Sequence, residues 1–296
     1  MVERVIVAVD GGPASDAALA WVIERAKTVP MRLEITTISG LDAELPEGAE
    51  TGFHTAAEAA LLTAQSTAKA ALPDLEVTAA MRAGIPQEEL VRASRKADLL
   101  VVGTNKTSTV AGLTHGTLPL KVAGQAECTT VVVPVGWQAG HGDVVAGWSD
   151  DPTAESALDF AAAEAERTKK DLAIVHTWST PPSTPMDGTG SAVLVQELVA
   201  ANRQLLADAA HRIEVAHPGL SVTKLLHAGS AATAIVRAAS NASLVVVGSR
   251  GRGAIAGFFL GSVSHDVLLN MPAPVAVLPK KHAPVDVYPE LVDDEL

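Results

Sequence analysis

Cysteine is almost absent. The single thiol, Cys128, rules out an intramolecular disulfide and fits a reducing compartment. It stands between a helical stretch and an apolar strand, the setting of a buried structural thiol rather than a nucleophile. Aromatic residues are equally scarce at 3%, so the interior has to be built from Ala, Val, Leu and Ile. That palette suits buried parallel strands covered by alanine-rich helices. No apolar run reaches the ~18 residues that a membrane span needs. Met1 leads directly into an apolar segment, Val5–Val9, with no signal-peptide pattern, so a cytoplasmic chain is expected. Positive charge is in deficit too, with a formal net charge of −12. Such a surface repels phosphate backbones and anionic lipids, so neither nucleic acid nor membrane is an expected partner. Any anion site must draw its potential from helix N-termini and a few Arg or Lys side chains.

What is present is ample apolar material, 48% of 296 residues against 19% charged. This length predicts two domains with well-filled cores rather than one. An internal repeat supports the division. Val5–Leu19 reads VIVAVDGGPASDAAL and Val144–Leu158 reads VVAGWSDDPTAESAL, so Pro13, Ala18 and Leu19 recur at Pro152, Ala157 and Leu158, an offset of 139. Further along, Ala97–Gly103 matches Ala242–Gly248, and Gly84 matches Gly229, at an offset of 145. The second copy therefore carries about six extra residues, expected in the Pro/Gly/Ser/Thr-rich stretch Thr180–Gly190.

Each copy alternates short β-branched runs with longer Ala/Leu/Glu/Arg segments of helical spacing. In copy one the expected strands are Val5–Val9, Arg32–Ile38, Val77–Arg82, Leu99–Val102 and Thr130–Val133, with helices such as Ala14–Lys27 and Thr55–Ala71. The predicted fold is α/β: two tandem, doubly wound, five-stranded parallel-sheet domains. Domain 1 is set at residues 1–136 and domain 2 at 143–280, joined by the glycine-bearing hinge Gly136–Gly142. An acidic tail at 281–296, Pro-interrupted from His282 onward, is read as disordered or docked.

The chemistry concentrates after the fourth strand of copy two. Leu244–Val247 runs into GSRGRGAIAGFFLGSVS, in which Gly248, Gly251, Gly261 and Ser262 give G-x2-G-x9-G-S. Glycine at a strand's carboxyl end lets backbone N–H groups approach a ligand without a Cβ in the way. Gly261–Ser264 reads as a helix start with free N–H groups and two hydroxyls. Arg250 and Arg252 add local positive charge beside Ser249 and Gly253. Ligands of open α/β sheets bind at this end of the strands, and together these parts make an anion cradle long enough for a polyphosphate.

On these residues the sequence resembles the universal stress protein family, over Val5–Pro134 and again over Val144–Pro279. G-x2-G-x9-G-[ST] is that family's ATP-binding signature. The resemblance implies an adenine nucleotide alpha hydrolase-like domain with ATP, with or without Mg2+, laid across the strand ends. It assigns Val263 and Ser264 to the phosphates. The family's strand-one Asp, near ribose and base, corresponds to Asp10, followed by Gly11, and in copy two to Ser149, followed by Asp150. The strand-two end that meets adenine corresponds to Ile38 and Thr177, and Gly84 and Gly229 belong to the same rim. The family also pairs domains through their last strands, so Thr130–Val133 and Val275–Leu278 are expected across a pseudo-twofold axis. A homodimer built on that intramolecular pairing and an unidentified protein partner are further expectations.

The copies depart from the pattern in opposite ways. Copy two keeps the whole glycine loop but has Ser149 for the strand-one Asp. Copy one keeps Asp10 but reads Gly103-Thr-Asn-Lys106, then Gly116-Thr117, with Lys106 for the second glycine and Pro119 where copy two has Ser264. A side chain at 106 should crowd the phosphates, although its ammonium could grip one. Copy two is expected to bind ATP and copy one weakly or not at all.

Rival readings find less support. Gly251–Ala256 fits G-x-G-x-x-A, but that fingerprint belongs after a first strand, with an acid ending the second. No G-x-S-x-G, H-E-x-x-H or G-x4-G-K-[ST] occurs. The nine histidines are scattered; His265 lies near the glycine loop and His176 is read as a neighbour of the adenine pocket. Asp150 and Asp151 suit either phosphate-bound Mg2+ or a helix N-cap. The chain is read as a nucleotide-dependent stress regulator, at most a slow ATPase. The alternative is a nucleotide-free interaction protein on the same fold.

Overall fold

A computed structural model describes residues 2–39, 49–105, 117–140, 142–179, 189–249 and 260–280. The first half runs β1 (Glu3–Ala8), α1 (Pro13–Ala26), β2 (Met31–Ser39), α2 (Ala49–Ala71), β3 (Glu76–Ala83), α3 (Pro86–Ser94), β4 (Leu99–Thr104), α4 (Thr117–Gln125) and β5 (Thr129–Pro134). The second half repeats it as β6 (Val144–Trp148), α5 (Pro152–Thr168), β7 (Leu172–Trp178), α6 (Thr189–Ala216), β8 (Val222–Ala228), α7 (Ala231–Ala238), β9 (Leu244–Gly248), α8 (Ser262–Leu269) and β10 (Val275–Leu278). The expected strands and helices are all present, with ends differing by one or two residues except α2. That helix begins six residues before Thr55, because Ala49–His54 continue its helical path.

The strands form one sheet in the order β3-β2-β1-β4-β5-β10-β9-β6-β7-β8. Within each half every pairing is parallel. Central segments such as Leu99–Val102 and Leu244–Val247 are buried on both sides, which is why they read as unbroken apolar runs rather than alternations. Odd and even positions feed two separate cores. One, containing Val5, Val7, Val131, Ala146 and Ala276, packs beneath α1, α2, α5 and α6. The other, containing Ile6, Val102, Val132, Val245 and Val275, packs beneath α3, α4, α7 and α8. Small Ala side chains on α1 and α5 let these helices sit close to the sheet.

The halves join through β5 and β10, the one antiparallel pairing among the described strands, with Val275 opposite Val132, Ala276 opposite Val131 and Val277 opposite Thr130. Val131 and Ala276 differ by the repeat offset of 145, so two equivalent residues face each other and mark the pseudo-twofold axis. The expected pairing of last strands is therefore present.

A second equivalent pair sits on the same axis. Arg25 near the end of α1 and Glu164 in α5 are 139 residues apart, the offset of the helices. Arg25 Nε and Nη2 donate to Glu164 Oε1 and Oε2 at 2.6 and 2.8 Å, and Nη1 donates to Glu3 Oε2 at 2.6 Å. Arg167 Nη2 donates to Glu164 Oε2 at 3.2 Å. The Arg25 and Glu164 side chains are 3% and 2% exposed. Burial alone would lower the pKa of Arg25, but the hydrogen bonds and charges of Glu164 and then Glu3 overcome it and raise the pKa above its ordinary value. The guanidinium also stands 5.9 Å from the ring of Trp21.

Candidate functional site

Copy two brings β6, β9 and two helix starts together at one rim. β9 ends at Gly248, and a Cβ there would come within 2.7 Å of Thr153 Cγ2 in the first turn of α5. Gly103, its counterpart in copy one, is tighter still, for a Cβ would lie 2.0 Å from the carbonyl oxygen of Ala14. From sequence alone these first glycines are openings for a ligand. The structure gives them a packing duty: they let the incoming helix press its first turn onto the strand end.

Beyond Gly248 the chain is gathered at its base. Ser249, 4% exposed, donates its N–H to Leu278 O at 2.7 Å, and its carbonyl accepts the Gly261 N–H at 2.7 Å. Ser264 is buried, and its Oγ lies 3.2 Å from Ser249 O and 3.0 Å from Gly261 O. Its hydroxyl thus serves the base of the loop. Ser262 and Val263, by contrast, are exposed at the start of α8. The N-cap of that helix is Gly261, in extended conformation, with no side chain to occupy the first-turn N–H groups. Arg250, Gly251, Arg252 and Gly253 lie outside the described residues.

The strand-one turn of copy two is organised by Asp151. Its Oδ1 accepts from Thr153 N–H and Ala154 N–H at 3.0 and 3.1 Å, and Ser149 Oγ donates to Oδ2 at 2.6 Å. Asp151 is therefore the N-cap of α5, and the N-cap reading holds over the metal reading for this residue. Among the described residues no cluster of three or more His, Cys, Asp or Glu side chains could hold a metal ion. Asp150 is exposed beside it. Thr177 is partly exposed near the end of β7, and Gly229 follows β8 with φ of 105°, its N–H donating to Trp178 O at 2.9 Å.

In copy one, Asp10 is exposed and its Oδ1 accepts the Gly12 N–H at 2.8 Å, with Gly11 at φ of 79°. Here α1 has a Gly12 N-cap without a side-chain bond, whereas its counterpart in copy two is filled by Asp151. Ile38 packs partly buried against the second core, and Gly84 holds φ of 143°. Thr117 opens α4; Lys106 and Gly116 lie outside the described residues, as do most of the expected insertion, 180–188, and the tail, 281–296.

His176 is placed differently from expectation. It shares the face of Leu172 and Ile174, beneath α6, with Nδ1 3.1 Å from Trp148 O and Nε2 2.9 Å from Asn202 Oδ1. A cavity of about 160 Å3 lies at the domain junction, lined by Trp21, Arg25, Trp137, Glu164 and Lys170 among others, and none of the described residues of the glycine motif borders it. No helix among the described residues is long and apolar enough to cross a membrane.

Two doubly wound α/β units in tandem, each with its strand ends facing a helix start, define a class of two-domain α/β proteins. The family model of the universal stress protein family matches residues 1–134 and again 142–279, and the chain belongs to that family. A universal stress protein of Mycobacterium tuberculosis is 28% identical over 286 residues, covering 92% of this chain and 96% of its own length. A second from the same organism is 28% identical over 293 residues, covering 92% and 95%. Among solved structures, a universal stress protein from Archaeoglobus fulgidus superposes with a TM-score of 0.70 at 20% identity, over 94% of this chain and 98% of that one. A Pseudomonas aeruginosa protein described as functionally unknown gives 0.66 at 14% identity, over 95% and 93%. At such identities these structures speak for the fold.

Proposed function

We propose that the chain is an ATP-binding stress regulator that loads nucleotide in domain 2, residues 143–280, and works through conformation or partner choice rather than turnover. The observation that carries this reading is the exposed first turn of α8, capped by Gly261 at the carboxyl rim of β9. Free N–H groups and the positive end of the helix dipole favour phosphate there, and the glycine motif that leads to it is complete. Backbone N–H groups of Ser262 and Val263, the Ser262 hydroxyl and the guanidiniums of Arg250 and Arg252 would hold the phosphates. Thr177, Gly229 and Ser149 would border the nucleoside. Asp150 is exposed on the same rim, and Mg2+ could accompany the triphosphate there. Domain 1, with Lys106 in the motif, is the weaker or silent site.

One feature favours a nucleotide-free reading. Asp151 already places a carboxylate on the N-terminus of α5, so that dipole is spent within the protein. Calorimetric titration of Mg·ATP separates the two readings. The expected result is one site, abolished by Gly251→Val and left intact by Lys106→Ala. Full binding in the Gly251→Val protein, or none in the parent, overturns the proposal.

A further inference from the structure

In a pairing of two identical domains, a residue on the twofold axis meets its own copy, so it must be self-complementary. Here the axis is occupied by equivalent residues that are complementary only to each other, Arg25 and Glu164. We infer that this pair selects the pairing partner: domain 1 accepts domain 2 across β5 and β10 and rejects a second domain 1, and domain 2 rejects its own kind. Nucleotide binding plays no part in this selection.

Burial gives the pair its leverage. A domain 1 pair would enclose two guanidiniums, and a domain 2 pair two carboxylates, at a place where the side chains are 3% and 2% exposed. Like charges that far from water repel strongly, and either like pairing would lose both bonds between Arg25 and Glu164, with only Glu3 or Arg167 of the same domain as partial counter-charge. The flanking charges soften this penalty without removing it. Glu3, which takes the third Arg25 bond, has Gly142 at its equivalent position, and Arg167, which braces Glu164, has Thr28. Each domain therefore brings one acid and one base, and what a like pairing lacks is the two-bond contact between Arg25 and Glu164. The strand contact does not discriminate, since Val131 and Ala276 are both small and apolar. Selection falls to the helices above it.

The test uses full-length chains carrying Arg25→Glu or Glu164→Arg. Alone, each puts like charges on the axis and should lose its monomeric fold on refolding from urea, aggregating or melting well below the parent. Refolded together in equal amounts, they should yield a species of twice the chain mass, in which each chain's domain 1 meets the other's domain 2 with charges restored. The nine residues between Pro134 and Val144, fully extended, span roughly 30 Å, enough to open such an exchange. The chain with both substitutions should refold as a monomer with a melting temperature near that of the parent. Light scattering after size exclusion reads the mass. Single variants that remain monomeric at the parent's melting temperature overturn the inference. So does a mixture that forms no heterodimer although the double variant folds, because the pair would then be a brace without selectivity.

Discussion

The hydroxyl of Ser264 reaches the carbonyl oxygen of Ser249 across 3.2 Å, tying the first turn of α8 to the end of β9. Eleven residues of chain leave and return between Ser249 and Gly261, and this tie together with the Gly261 N–H bond fixes where both ends emerge. The open helix start owes its position to a side chain that faces inward.

Ser264→Ala should therefore cost about 1 kcal/mol of stability and also weaken Mg·ATP binding, because the cradle loses its anchor. Ser262→Ala should leave stability within about 0.5 kcal/mol while weakening binding alone. Urea unfolding and calorimetry on the two proteins read the contrast.

Gly248→Ala is expected to destabilise by about 1–3 kcal/mol through overpacking against Thr153. Trimming the obstacle with Thr153→Ser should restore part of that loss, a coupling measurable by a double-mutant cycle. A cost that is additive would mean that the clash lies elsewhere.

Thr130 carries a buried hydroxyl with no partner among the described residues. Thr130→Val keeps the shape and removes the unpaired group, so thermal unfolding should show no loss or a gain of about 1 kcal/mol.

Burial, with a smaller contribution from the charge of Asp98, pushes the Cys128 thiol up to about 12. Because the raised pKa belongs to the folded state, its stabilising contribution is complete below the unfolded value of 9.0 and is lost as pH climbs through about 12. Native protein at pH 8 should resist iodoacetamide, whereas urea-unfolded protein should label quickly. Rapid labelling of the native form would contradict the burial.

The order of elements was open to sequence reading because buried parallel strands are compositionally loud. Val5–Val9 and Leu99–Val102 stand out against alanine-rich helices, and the offsets of 139 and 145 align the copies without any coordinates. Side-chain direction was harder to read. His176 lies at the right end of its strand for a nucleotide neighbour, but the period of two along β7 turns it towards α6, where Asn202 receives it. Gly248 carries the same signal whether a ligand or a helix comes close, and only the position of Thr153 decides. Arg25 and Glu164 belong to ordinary helical segments. Their meeting depends on how the halves dock, although the repeat offset, applied to charged residues, would have singled them out.

The lone antiparallel seam between β5 and β10 reverses the direction of every strand from one half to the other. The carboxyl-end rims of the two domains consequently look out from opposite borders of the molecule. A binding partner seated on one border would have no direct view of the other. The repeat thus leaves the chain with two separately addressable ends.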